Sequence, residues 1–117
     1  MRAEDSSLWN DPQEAQKLMR EAKDRLSEAS YRVGFFYFRI KHYAGAIDRF
    51  REVLKTDPEF TRRDAVYYHM AEAIRLSDKK PENIAEALAY YERLVKEFEQ
   101  SEYLEDTRKR IAELKTQ

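Results

Sequence analysis

The sequence predicts an all-α fold built of short antiparallel helical hairpins, on three observations. Apolar residues recur at three- and four-residue spacing along most of the chain. Only two glycines and three prolines interrupt 117 residues, so the stretches between breaks are long. Alanine occurs thirteen times, as often as Val, Ile and Thr together, and a strand-rich reading would need many poor strand formers. With 42% apolar and 38% charged residues, the composition suits amphipathic helices with solvated outer faces. A chain of this length makes one ordinary domain, 1–117, read here as part of a longer protein.

The first start signal is Asn10-Asp11-Pro12, where an Asn or Asp side chain caps free amides and proline is tolerated in a first turn. Ala15, Leu18, Met19, Ala22 and Leu26 follow at helical spacing, then Ala29, Val33, Phe36 or Tyr37, and Ile40. One helix from about 12 to 40 and two helices broken near Ser27 to Ser30 both fit. A helix is expected from Tyr43 to Lys55 on Ala46, Ile47, Phe50, Val53 and Leu54, ended by Asp57-Pro58. The next starts near Thr61, carries Ala65, Val66, Met70, Ala73 and Ile74, and stops at Ser77 to Pro81. Asn83 is expected to cap a helix over about 84–98, and a last helix over 101–115 presents Leu104, Thr107, Ile111 and Leu114.

Short connections make successive helices pack antiparallel. Val33-Gly34, Tyr37, Ala46, Phe50, Val53 and Pro58 form a series whose counterpart is Met70-Ala71, Ile74, Ala87, Tyr91, Leu94 and Glu99. The offsets of the first series are those of the 34-residue tetratricopeptide repeat. Gly34, Ala71, Ala46 and Ala87 are small where helices approach, and Phe50 and Tyr91 fill the volume beside them. From Ala46 to Ala87 the register advances 41 residues, an excess assigned to turns near Glu59 to Arg63 and Asp78 to Asn83. The expected architecture is therefore a short right-handed solenoid of tetratricopeptide-like hairpins, 27–60 and 64–100, with 101–115 as a terminal covering helix and the first helix covering the other end. An unrelated four-helix bundle is the structural alternative.

The run Ala22-Lys23-Asp24-Arg25-Leu26-Ser27-Glu28-Ala29, then Val33 to Arg39, His42 to Phe50 and Thr56-Asp57-Pro58, resembles the tetratricopeptide lipoproteins of the outer-membrane β-barrel assembly machinery, C-terminal to their early repeats, and the likeness spans most of 12–114. The resemblance implies attachment by a lipidated N-terminal cysteine to the periplasmic face of a Gram-negative outer membrane. It also implies binding to the barrel-inserting subunit and contact with substrate proteins. The 117 residues hold no cysteine, and Met1 to Asn10 lack the apolar core of a signal peptide.

In stacked hairpins the first helix of each pair lines the concave side. The register places Tyr31, Phe35, Phe38 and Arg39 there from one hairpin, and Tyr68, Glu72 and Arg75 from the next, as the expected protein-binding residues. The plainer reading is that Phe35 or Phe38 packs within the chain and the charges are ordinary surface. Phe35, Phe36, Tyr37 and Phe38 point around a helix by roughly 100° each, so they cannot all face one core. At least one must meet a neighbouring helix, a partner or another segment, and self-association through exposed aromatics is the alternative function.

Other classes find no support. A net charge of -1 gives no global attraction for nucleic acid, and Arg62-Arg63, Lys79-Lys80 and Arg108-Lys109-Arg110 have acids interspersed nearby. His42 and His69 match no metal spacing, and His69 with Glu72 is a weak ligand set. Without a glycine-rich phosphate cradle or a G-x-S-x-G turn, neither catalysis nor a cofactor is expected.

Overall fold

In the computed structural model, which describes residues 11–116, Asp11 caps a helix that Pro12 opens: its carboxylate accepts from the amides of Gln13 at 3.0 Å and Glu14 at 3.3 Å. Asn10 and the rest of the segment read for a signal peptide, Met1 to Asn10, lie outside the described residues. This helix, α1, runs unbroken over Pro12–Arg39, so the two-helix alternative is not what forms. It is followed by α2 (Tyr43–Thr56), α3 (Arg63–Ser77), α4 (Pro81–Glu97) and α5 (Leu104–Lys115). The fold is all-α, and each helix packs on its sequence neighbours, with a lighter contact between α1 and α3. This sequential packing, drawn out to 63 × 27 × 20 Å, is consistent with a tetratricopeptide-like or solenoid arrangement.

Helix α1 ends in a Schellman turn. The amide of His42 donates to Tyr37 O at 2.9 Å and that of Lys41 to Phe38 O at 3.0 Å, with Lys41 in the left-handed region at φ 62°. His42 then caps α2 by accepting from the amide of Gly45 at 3.1 Å.

The small-residue ladder is where close approach demands it. Ala46, Ala71 and Ala87 are fully buried beside Phe50 and Tyr91. A Cβ on Gly34 would sit 2.6 Å from Phe50 Cε1, so α1 and α2 meet there only because that side chain is absent.

Three expectations are corrected. First, α4 starts at Pro81, not after an Asn83 cap; Asn83 lies in its first turn and donates to Asp78 O at 3.3 Å. The α1–α2 and α3–α4 connections thus have equal length, and the excess expected in the second turn lengthens the helices instead: Ala46 is the fourth residue of α2, Ala87 the seventh of α4. The added residues extend the hairpin tip and leave the packing register intact. Second, α3 and α5 begin at Arg63 and Leu104, two and three residues after the expected starts. The connections before them repeat one another at a 41-residue offset: Asp57, Phe60 and Arg63 amides donate to Val53, Asp57 and Phe60 carbonyls as those of Phe98, Ser101 and Leu104 do to Leu94, Phe98 and Ser101. Third, the apolar series of α1 faces outward. The buried side of α1 is Ser27, Tyr31 and Gly34, whereas Met19, Leu26, Val33, Phe36 and Ile40 stand in solvent.

Candidate functional site: an aromatic floor around His69

Ring packing gathers side chains from α1, α3 and the residue that opens α5. Phe35 and Phe38 from α1, Tyr68 from α3 and Tyr103 before α5 each meet the His69 imidazole edge-on, with centroids 4.9, 5.3, 5.2 and 5.5 Å away. These four rings are half-buried against the core, a surface with apolar area on offer and its positions already fixed. Tyr68 also stacks on Tyr103 at 5.0 Å.

His69 is buried, and because a carbonyl only accepts, its Nδ1 carries the proton and donates to Ala65 O at 2.9 Å; Tyr31 Oη stands 3.2 Å from the same nitrogen. Burial pushes the imidazole below its ordinary range, with Arg62 acting the same way and the Ala65 carbonyl and Glu72 opposing. The ring is therefore neutral at neutral pH and serves as one more aromatic surface. Tyr31 is buried beneath it, with the Arg62 guanidinium 5.3 Å over its ring.

Arg62 in turn donates from one nitrogen, Nη1, to both Glu28 carboxylate oxygens at 2.8 Å. Further along α1, Arg20 and Ser27 both donate to the buried Asp57 carboxylate, the latter at 2.6 Å, and Thr61 donates to Asp24. The α2–α3 connection is thereby fixed to the middle of α1, which sets how α1 and α3 flank the floor.

Of the residues expected to bind protein, the fold brings Tyr31, Phe35, Phe38 and Tyr68 together. Arg39 is exposed at the end of α1. Glu72 is buried in a second cluster, where Arg75 donates twice at 2.9 and 3.0 Å, Arg110 donates at 3.1 Å, and the Tyr91 hydroxyl also donates. Burial alone would raise the Glu72 carboxyl, but the hydrogen bonds from Arg75 and Tyr91, with the charges of Arg75 and Arg110, hold it below the carboxylate range. Glu72 thus joins α3, α4 and α5, and Arg75 is committed to it. The four consecutive aromatics divide as helix geometry requires: Phe35, Tyr37 and Phe38 pack on the core and Phe36 is exposed.

Reading the sequence missed His69 and Tyr103 as members of the floor. Repeat register could not have found them: at the 37-residue offset of Gly34 and Ala71, Phe35 falls on Glu72, and at the 41-residue offset of the connections Tyr103 falls on Arg62. Among the described residues no group of three or more His, Cys, Asp or Glu could hold a metal ion. His69 and Glu72 are taken up by packing and ion pairing, so the arrangement offers contact surface, not acid–base chemistry.

The sequence pattern of the family described as "YfiO: Outer membrane lipoprotein" matches residues 12–76, more than half of the chain. The matched stretch takes in α1, α2 and all but the last residue of α3, including Phe35, Phe38, Tyr68 and His69; α4 and α5 lie beyond it, short of the 12–114 span of the resemblance. No curated protein and no solved structure matches the chain.

Proposed function

Since this chain belongs to the YfiO family of outer membrane lipoproteins, we propose that it is a protein-binding scaffold in the assembly of outer-membrane β-barrels, working at the periplasmic face of that membrane and holding the barrel-inserting subunit. The observation that carries this reading is the aromatic floor: half-buried rings from successive elements, held rigid from below, three of the four, Phe35, Phe38 and Tyr68, within the family-matched stretch.

In this reading 27–60 and 64–100 are consecutive tetratricopeptide-like repeats of a short right-handed solenoid, with 101–115 as its covering helix. The floor is the concave side. Phe35, Phe38 and Tyr68 present their rings to the partner, Tyr31 supports them, and Arg39 and Arg75 supply cations near the rings. Glu72 contributes by holding Arg75 in place. Membrane attachment in this reading is through a lipidated N-terminal cysteine that these 117 residues do not contain.

The test is affinity capture from detergent-solubilised envelopes with the complete gene product as bait. The barrel-inserting subunit is expected in the eluate, and Phe35→Ala with Tyr68→Ala should cut its recovery by about tenfold or more, the range of paired aromatic hot spots. Recovery of cytosolic partners alone would sink the envelope assignment.

A further inference from the structure

We propose that the outer face of α1 is a second docking surface, and that it takes an amphipathic helix with an acidic edge supplied by another polypeptide. It lies on the side of α1 away from Tyr31 and meets the aromatic floor only at its C-terminal end, at Phe35 and Arg39.

The face is defined by spacing. Ala15, Met19, Ala22, Leu26, Ala29, Val33, Phe36 and Ile40 alternate steps of four and three residues, the seam of a left-handed helix pair. Met19, Leu26, Phe36 and Ile40 are 56, 74, 58 and 56% exposed. Among the described residues, six of the seven exposed large hydrophobics belong to α1 or to Ile40 at its cap. The alanines at alternate seam positions let a second backbone approach closely.

Helix α3 shows what fills such a face. With Gly34 aligned on Ala71, the residues Ala29, Val33 and Phe36 align on Val66, Met70 and Ala73. Those three are fully buried in α3, which has α2 and α4 as its main neighbours, whereas α1 has α2 as its main neighbour and only light contact with α3. The occupant therefore has the shape of a helix, standing to α1 as α2 stands to α3.

Charge selects among helices. Arg25, Arg32 and Arg39 recur every seven residues along one border of the seam. Among the described residues Arg25 and Arg39 make no ion pair, and Arg32 reaches only Glu28, at 3.4 Å, which Arg62 already engages. Of the acids on that flank, Glu14 and Glu21 stand ahead of the row, and Glu28, within it, is taken up by Arg62 at 2.8 Å. Two copies paired antiparallel would set arginine row against arginine row. Paired in parallel, they would set it against Lys23, Ser30 and Tyr37, none of them acidic. At the C-terminal end, Arg32, Phe35, Phe36, Arg39 and Ile40 line a groove of about 480 Å³, suited to a large apolar side chain beside a carboxylate.

The test uses the full chain and two synthetic helices of about four Leu/Ala heptads, one with Glu and one with Lys along both edges. By fluorescence anisotropy the Glu-edged helix should bind and the Lys-edged helix should not. Replacing Arg25, Arg32 and Arg39 together by Gln should weaken binding by about tenfold, with less loss at high salt, and Leu26→Asp with Val33→Asp should abolish it. These side chains are exposed, so melting temperatures should hold. Phe38→Ala, in the floor, should leave peptide binding unchanged while reducing envelope capture, so the two readings fail separately. Equal affinity for both peptides, binding that survives Leu26→Asp with Val33→Asp, a dimer by sedimentation that those changes dissolve, or preference for phosphatidylglycerol vesicles over the peptide would each overturn the proposal.

Discussion

At the scale of single residues, Gly34 and Thr107 pull in opposite directions. Alanine in place of Gly34 gains helix propensity of at most about 1 kcal/mol. Its Cβ would stand 2.6 and 2.7 Å from the ring of Phe50, which is fully buried and cannot swing away, and 3.3 Å from Arg49 Cβ. Overpacking of this kind costs about 1–3 kcal/mol, so Gly34→Ala should destabilise the chain, seen as a lower urea midpoint with unchanged slope. Thr107 is fully buried on α5, and its Oγ1 is a buried polar atom without a hydrogen-bond partner. Valine keeps the shape and removes the desolvated hydroxyl, so Thr107→Val should stabilise by about 1 kcal/mol, a rise of several degrees in Tm. A drop in Tm would mean that the hydroxyl has a partner in solution.

At the scale of elements, Lys41 occupies the position after the α1 cap that favours glycine, with φ 62°. Both Schellman hydrogen bonds are made by backbone, so Lys41→Gly removes the Cβ strain without touching them and should stabilise by about 1 kcal/mol in thermal melts. Helix limits of this kind were legible in the sequence because proline, Asp-Pro and polar turns are local signals; α2 was readable within a residue of its end. The buried face of α1 was not. Hydrophobic periodicity located the seam from Ala15 to Ile40, but what covers a seam is decided by another helix, and none of α2 to α5 does so. The face that does pack is Ser27, Tyr31 and Gly34, small and aromatic residues with little hydrophobic signal. The core of α2, α3 and α4 was legible for the converse reason: their neighbours lie within the chain. The aromatic floor was half legible, since Tyr31, Phe35, Phe38 and Tyr68 follow from hairpin register, whereas His69 and Tyr103 match no floor residue at the 37- or 41-residue offset and are placed by tertiary packing.

At the scale of the whole molecule, the charges that tie elements together make stability depend on pH in one direction. Asp57 and Asp24 hold the α2–α3 connection to α1, Glu72 joins α3 to α4 and α5, and Glu97 on α4 accepts from Tyr67 on α3 at 3.0 Å. Burial opposes ionisation in each, yet hydrogen bonds and neighbouring arginines outweigh it and hold all four carboxyls below their ordinary values. His69 is also lowered, from an ordinary 6.5, by burial among the rings. In each of these five groups the folded chain binds fewer protons than the unfolded one, so stability rises with pH across the acid and neutral range. It should be complete above about pH 7, begin to fall as pH drops below the unfolded histidine value, and fall again below about pH 4.5 as the unfolded carboxylates take up protons. Urea midpoints measured from about pH 8 to pH 3 should show both limbs in the natural chain. His69→Phe keeps an aromatic surface under the floor and removes the titrating group, so whatever its absolute stability, its profile should be flat between about pH 7 and pH 5 and retain the acid limb. A natural chain whose midpoint does not change across that upper interval would mean that the imbalance between folded and unfolded histidine is absent, and that the rings around His69 open enough in solution to hydrate it.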